Sequence, residues 1–184
     1  MSLRIISGRW KGRRIDAPPG DGTRPLTDRI KQSLFDWLGQ DFTGQRIADV
    51  CSGSGSFAFE AASRGAAEVH AIESGRTAAA TWRKNWQHLG SPPEVILHLA
   101  PFALALPRLR GLDLVFADPP FPWWDDQPEL LDQLIALAAN ALAPGSALVL
   151  RGEEPHQLPA LPAGMVIEER RAYGRSWVAA IRRG

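Results

Sequence analysis

The sequence predicts an α/β protein: a doubly wound parallel sheet with a terminal antiparallel hairpin and a small amino-terminal β-hairpin. Three observations carry that expectation. From residue 46 onward, short apolar runs alternate with helical stretches, an order that gives parallel strands joined by right-handed crossovers. Most of the runs lack strict apolar and polar alternation, as strands covered on both faces do. The first of them ends in a glycine-rich turn, Asp49-Val50-Cys51-Ser52-Gly53-Ser54-Gly55, directly before a helical stretch. With 184 residues, 45% hydrophobic and 22% charged, the chain can bury one sizeable core and does not have the composition of a disordered protein.

In chain order, residues 4–6 and 13–16 flank Ser7-Gly8 and Gly12 and are expected to pair as a hairpin with Trp10 near its turn. Pro18-Pro19-Gly20-Asp21-Gly22 then breaks the chain, so residues 1–26 are expected to form an extension and 27–184 the main domain. A helix should follow, with Thr27 as N-cap, Ile30, Leu34, Trp37 and Leu38 on one face, and Gly39 at its end. Strands are expected at 46–50, 68–73, 94–99, 112–117 and 147–151, with helices at 56–64, 76–88 and 129–142 and a weaker one at 102–106. Residues 166–172 and 177–182, around Tyr173-Gly174-Arg175, read as the terminal hairpin.

Several classes are excluded at this level. The longest apolar runs, such as 134–139, fall far short of the ~20 residues of a membrane span, and the first residues lack a signal peptide's apolar core. The single cysteine, Cys51, allows no internal disulfide, and no Cys/His cluster has zinc-ligand spacing. A cytoplasmic monomer without metal or membrane contact is the expectation. The net charge is only +1, but residues 1–31 hold eight basic groups (Arg4, Arg9, Lys11, Arg13, Arg14, Arg24, Arg29, Lys31) against three acidic ones, a balance of +5 that leaves −4 for the rest. Such asymmetry suggests that one end meets a polyanion. With Trp10 among the arginines, phosphate contacts and a stacking surface would lie together, as in nucleic-acid grooves.

The glycine turn and the acid after it form the first candidate site. Glycines at a strand-to-helix turn let the backbone approach a ligand, and Glu73, twenty residues beyond Gly53 at the end of the next strand, can accept both hydroxyls of an adenosine ribose. Gly53-Ser54-Gly55-Ser56-Phe57-Ala58 also fits the dinucleotide fingerprint, so a dehydrogenase is a rival. Asp49 favours a cationic ligand, because a carboxylate beneath the loop would repel a pyrophosphate. S-adenosylmethionine carries an amino group and a sulfonium. The expected cofactor set is Asp49, Ser52, Gly53, Ser54, Gly55, Glu73 and Ser74.

The second candidate is Asp118-Pro119-Pro120-Phe121, which follows the run at 112–117 at the carboxyl end of the sheet, where open α/β folds bind ligands. An exocyclic amine on a nucleobase is a poor nucleophile because its lone pair is delocalised into the ring. The Asp118 carboxylate and the Pro119 carbonyl could accept its two N–H bonds and free that lone pair for a methyl group. Prolines fix the turn, and Phe121 can stack on the base, an interaction worth ~1–3 kcal/mol in single-strand binders.

At these residues the chain resembles the bacterial methyltransferases that modify N2 of a guanine in 16S ribosomal RNA. Arg4-Ile5-Ile6-Ser7-Gly8-Arg9-Trp10-Lys11-Gly12-Arg13 is similar to that family's amino-terminal signature, and Arg24-Pro25, Thr27-Asp28-Arg29 and Leu34-Phe35-Asp36-Trp37-Leu38 to its next. Ser52-Gly53-Ser54-Gly55, Glu60-Ala61 and Ser63-Arg64-Gly65-Ala66 resemble its first sheet motif, and Asp118 to Phe121 its catalytic turn. The resemblance implies a seven-stranded Rossmann-like fold that uses S-adenosylmethionine, an amino-methylated guanosine product, and 16S ribosomal RNA or the small subunit as partner. It departs at Cys51, Gly75 and Leu99, where the family usually carries an aromatic, an acidic and a polar residue, and at Leu26, where threonine is more usual. These departures bear on cofactor affinity. Adenine N6 methylation of DNA or RNA, or a ribosome-assembly factor that keeps the fold without catalysis, are the alternatives. His70, His88, His98 and His156 are expected in surface or packing roles, and Trp123-Trp124 as a stacking lid or as packing.

Overall fold

A computed structural model describes residues 2–18 and 28–184 of the chain. At the amino end β1 (Ser2–Arg4) and β2 (Arg14–Asp16) pair antiparallel, and a 3-10 turn at Gly8–Trp10 lies between them. The main sheet is built from β3 (Arg46–Val50), β4 (Glu68–Glu73), β5 (Val95–Leu99), β6 (Leu112–Ala117), β7 (Leu142–Glu153), β8 (Met165–Tyr173) and β9 (Ser176–Arg183). Its order is β5-β4-β3-β6-β7-β9-β8. β3 to β7 run parallel, whereas β9 is antiparallel to both of its neighbours. The expected doubly wound fold is therefore present, and the terminal hairpin enlarges the sheet, because β9 inserts between β7 and β8.

The two-residue period of the strands sorts their side chains to opposite faces. Ile47, Val69, Ala71, Leu114, Phe116, Val149 and Val178 enter one core, and Ala48, Val50, Ile72, Val115, Ala117, Leu148, Leu150 and Ile181 enter the other. The first face is covered by the hairpin with α1 (Asp28–Leu38), α2 (Ser56–Ser63) and α3 (Arg76–His88); the second is covered by α4 (Phe102–Ala105), α5 (Pro122–Asp126) and α6 (Pro128–Ala141). α6 turns Leu131, Leu134, Ile135, Ala138 and Ala141 inward, the spacing of one helical face. It ends one residue before the expected position. β7 starts at once, and its register against β6 jumps from Leu112↔Leu142 to Leu114↔Ala147, so Pro144-Gly145 bulges out with Gly145 at φ 79°. The Thr27 cap lies outside the described residues.

The hairpin is built into this core. Leu3, Ile5, Trp10 and Ile15 are buried with Leu34, Phe35 and Phe59. Beneath them Glu60, fully buried, accepts the backbone N–H groups of Ile6 (2.8 Å) and Ser7 (2.9 Å) and the Arg64 Nε–H (3.0 Å). Lys31 Nζ stands 3.5 Å from Glu60 and donates to the Arg4 carbonyl at 2.5 Å. On α3, Asn85 accepts from Asp16 N and donates to the Asp16 and Ser54 carbonyls. Lys31, counted above among the basic groups of the terminus, is thus an internal counter-ion. The resemblance singles out Glu60 without giving it this role, although a lone carboxylate in Ser56-Phe57-Ala58-Phe59-Glu60-Ala61-Ala62-Ser63 needs buried partners.

Candidate active site

β3 and β6 are neighbours, and the connections from their carboxyl ends run in opposite directions, to β4 and to β7, which opens a crevice at the carboxyl ends of the strands. A cavity of about 560 Å³ fills it. The ends of β3, β4, β6 and β7 each contribute one charged side chain to its lining: Asp49, Glu73, Asp118 and Arg151. Of the expected cofactor set, Asp49, Ser52, Gly53, Ser54, Glu73 and Ser74 line the cavity, as do all four residues Asp118 to Phe121.

Gly55 does not. Its φ is 83°, and a Cβ there would lie 2.4 Å from Phe59 and 2.7 Å from Trp82, so its glycine is required by packing of the turn on α2 and α3. Gly53, at φ 58°, faces open space. Two residues before Gly53 the chain carries another left-handed residue, Cys51 at φ 60°, a strained conformation of the kind found at ligand loops.

Asp49 lies beneath this loop, 2% exposed, and accepts the Ser52 hydroxyl at 2.6 Å and the Ala58 N–H at 3.1 Å. Burial outweighs those hydrogen bonds and pushes its carboxyl up to about 7, with Asp118 and Glu73 adding repulsion. The Ala58 N–H, in the first turn of α2, is a group that a dinucleotide pyrophosphate would use; here a carboxylate occupies it. Glu73 accepts from Gly53 N (2.8 Å) with Oε2 and from Gly75 N (2.7 Å) with Oε1, which holds the acid across both glycine turns. A Cβ at Gly75 would stand 3.0 Å from Glu73 Oε1, so this departure from the family pattern accommodates the clasp. Leu99 is 43% exposed and is replaced in the cavity wall by Ala100 to Ala103.

On the other side, Asp118 N donates to the Val50 carbonyl, and the Pro120 and Phe121 carbonyls accept from Trp123 and Trp124 N–H, which locks the turn between β3 and α5. The sequence reading missed Arg151. Its Nη1 lies 3.1 and 2.9 Å from the two Asp118 oxygens. A usable signal existed, since an arginine directly after the apolar run 147–150 stands at the ligand end of a parallel strand. Burial raises the Asp118 carboxyl above its ordinary value, while Arg151 pulls it back. The tryptophan pair divides: Trp124 packs edge-on against Trp177 in the core, whereas Trp123 lines the cavity with its ring 5.4 Å from Phe102.

The expected nucleic-acid residues fare unevenly. Trp10 is only 8% exposed, and the Arg9 guanidinium covers its ring at 4.0 Å, so it offers no stacking surface; its place is in the hairpin core. Arg9 pairs with Glu94, and Arg13 donates to the His88 carbonyl at 2.8 Å. Arg4, Lys11, Arg13 and Arg14 are exposed. Arg24 and the side chain of Arg29 lie outside the described residues.

Residues 3–182 match the family described as "Conserved hypothetical protein 95". A ribosomal RNA small subunit methyltransferase D of Escherichia coli strain K12 is 30% identical over 175 residues, 94% of this chain and 86% of that protein. Its namesake in Haemophilus influenzae is 35% identical over 162 residues, 85% of this chain and 81% of that one. The solved structure of yhhF from Escherichia coli superposes with a TM-score of 0.86 at 28% identity, covering 100% of this chain and 98% of the other. With the fold, the crevice and these matches in agreement, the chain belongs to the family of the ribosomal RNA small subunit methyltransferases D.

Proposed function

We propose that the chain transfers a methyl group from S-adenosylmethionine to the exocyclic N2 amine of a guanine in 16S ribosomal RNA, in the cytoplasm where small subunits are assembled. The observation that carries this reading is the convergence on one cavity of a carboxylate-lined cofactor loop and the Asp118-Pro119-Pro120-Phe121 turn. The residues fit the cofactor's chemistry. Asp49 and Glu73 supply carboxylates, and the one cation among the described lining residues, Arg151, is engaged by Asp118, which suits a cationic nucleoside better than a pyrophosphate. Asp49 would meet the charged methionine end, Glu73 the ribose hydroxyls, and Phe102 and Trp123 the apolar adenosine end. The cofactor supplies an activated methyl on a sulfonium that leaves as a neutral thioether.

The chain's task is then alignment. Phe121, half-buried at the cavity wall, stacks on a guanine that has left its own stack. Asp118 and the Pro119 carbonyl accept hydrogen bonds from the two amine N–H groups, Asp118 stabilises the positive charge that builds on nitrogen as the bond to carbon forms and the carbon–sulfur bond breaks, and the methylated nitrogen then releases one proton to solvent. RNA is held by the exposed hairpin. Its register sets Arg4 opposite Arg14, so two exposed basic residues stand side by side on the strand pair. Arg76 and Arg83 continue the basic surface along α3, a helix without acidic residues.

Nucleoside analysis of ribosomal RNA from cells with and without the protein tests the assignment. Loss of N2-methylguanosine from the small-subunit RNA is expected. Loss of N6-methyladenosine instead, or no change in any nucleoside, would overturn it.

A further inference from the structure

We infer that Arg151 is the positioning residue for Asp118, fixing from the neighbouring strand the orientation of the carboxylate and supplying its counter-charge. The inference rests on the proposed amine methylation but concerns a residue that the cofactor and the base need not touch. Its geometry is specific. One nitrogen, Nη1, bridges both Asp118 oxygens at 3.1 and 2.9 Å, so the carboxylate is held at its outer end and cannot swing away without lengthening both contacts. Each oxygen keeps lone-pair capacity for an amine.

The guanidinium is itself held from behind. Nη2 donates to Ser176 Oγ at 3.1 Å and lies 3.8 Å from Glu153 Oε1, and the Ser176 hydroxyl donates to Glu153 Oε1 at 3.2 Å. This chain of contacts exists because β9 is inserted beside β7, in a register that sets Glu153 opposite Ser176. The terminal hairpin thereby reaches the reacting end of the cleft through Arg151, whose side chain is 4% exposed.

The need for a counter-charge follows from the surroundings. Among the described residues, Asp118 shares its surroundings with Asp49 and Cys51 from β3 and its turn and with Glu153 from β7, and Arg151 is the cation beside it. In such a recessed acidic cluster an unpaired carboxyl takes up a proton. Protonated, it would surrender acceptor capacity and lose the charge that stabilises the developing cation. A guanidinium bound to both oxygens keeps it ionised and aimed.

The test combines Arg151→Met, Arg151→Lys and Ser176→Ala in the full chain, with two readouts. In cofactor-free protein carrying 13C-labelled aspartate, the Asp118 carboxyl resonance should titrate at higher pH in Arg151→Met than in wild type, with a smaller displacement in the same direction in Ser176→Ala. In methyl transfer to RNA, Arg151→Met should lower kcat by about tenfold or more at neutral pH, move the acidic limb of the rate profile to higher pH, and leave the KM for cofactor within about threefold. Arg151→Lys should recover part of the rate, because a point charge restores attraction without the grip on both oxygens. An unchanged Asp118 titration, or a rate loss without displacement of the acidic limb, overturns the inference. Should Arg151→Met fail to fold, Ser176→Ala and Arg151→Lys carry the same readouts. The carboxyl titration does not depend on the substrate, so a wild-type protein that methylates no guanine would sink the functional reading while the link between Arg151 and Asp118 was still decided.

Discussion

Asp49 and Asp118 sit at the carboxyl ends of adjacent strands, both recessed in one cavity, yet they are balanced in opposite ways. Among the described residues Asp49 has neutral hydrogen-bond partners alone, a serine hydroxyl and a backbone N–H, and its carboxyl is pushed up to about 7. Asp118 has a guanidinium on both oxygens. The first arrangement leaves a negative charge unmet until a cation arrives; the second keeps a charge ready while its partner is already in place. Under the proposed function, this difference lets a single crevice separate two tasks, with a receptor for a charged cofactor on the β3 and β4 side and a preset acceptor for an amine on the β6 and β7 side.

The largest effect is expected where that preset acceptor is neutralised. Asp118→Asn keeps the shape but loses the charge, and single-turnover methylation should fall by roughly 10²-fold or more, the scale of removing one preorganised electrostatic partner. Cofactor affinity measured by calorimetry should be largely kept. On the cofactor side the pattern reverses: Glu73→Ala should weaken cofactor binding by ~1.5–3 kcal/mol, and much of the rate should return at saturating cofactor. Equal cofactor affinity for Glu73→Ala and wild type would remove Glu73 from the site.

The pH dependence of the two halves sharpens the contrast. Asp49 binds its proton more tightly folded than unfolded, so its contribution to stability in the free protein is complete at acid pH and is lost as pH rises toward about 7. A bound cation favours the ionised form. Cofactor affinity should therefore drop as pH falls below about 7, by up to roughly tenfold per unit for one linked proton, and Asp49→Asn should flatten both the melting profile and the affinity profile. A wild-type affinity that does not vary over this range would contradict the assignment of Asp49 as the cation receptor. The smallest effect is a null one: because a sulfonium is already a good leaving group, EDTA should leave the methylation rate intact, and a chelator-sensitive rate would reassign the chemistry.

The parts of the site that were legible in the sequence are those made by contiguous residues. Asp49 to Gly53, Glu73 and Asp118 to Phe121 occupy strand ends, and strand ends converge whenever a doubly wound order is recognised. Arg151 was illegible as a partner, because its contact with Asp118 depends on the register of β7 beside β6, and that register passes through the bulge after Leu142. The burial of the hairpin was illegible for a related reason. Its arginines and Trp10 have the composition of a nucleic-acid surface, but an appendage and a core element differ in what lies underneath. Here that is Glu60, which also holds Lys31 and Arg64. Removing one partner from a buried charged network costs ~3–5 kcal/mol, so deletion of residues 1–22 should lower the melting temperature of the whole protein and impair cofactor binding with it.

The most direct measurement of the central claim uses purified protein, labelled S-adenosylmethionine and small-subunit RNA lacking guanine N2 methylation, followed by digestion to nucleosides. Wild type should deposit the label in N2-methylguanosine, and Asp118→Asn, bound to cofactor as tightly as wild type, should deposit at most about one hundredth as much in a single turnover. Label in a different nucleoside, or equal labelling of N2-methylguanosine by both proteins, would contradict the account.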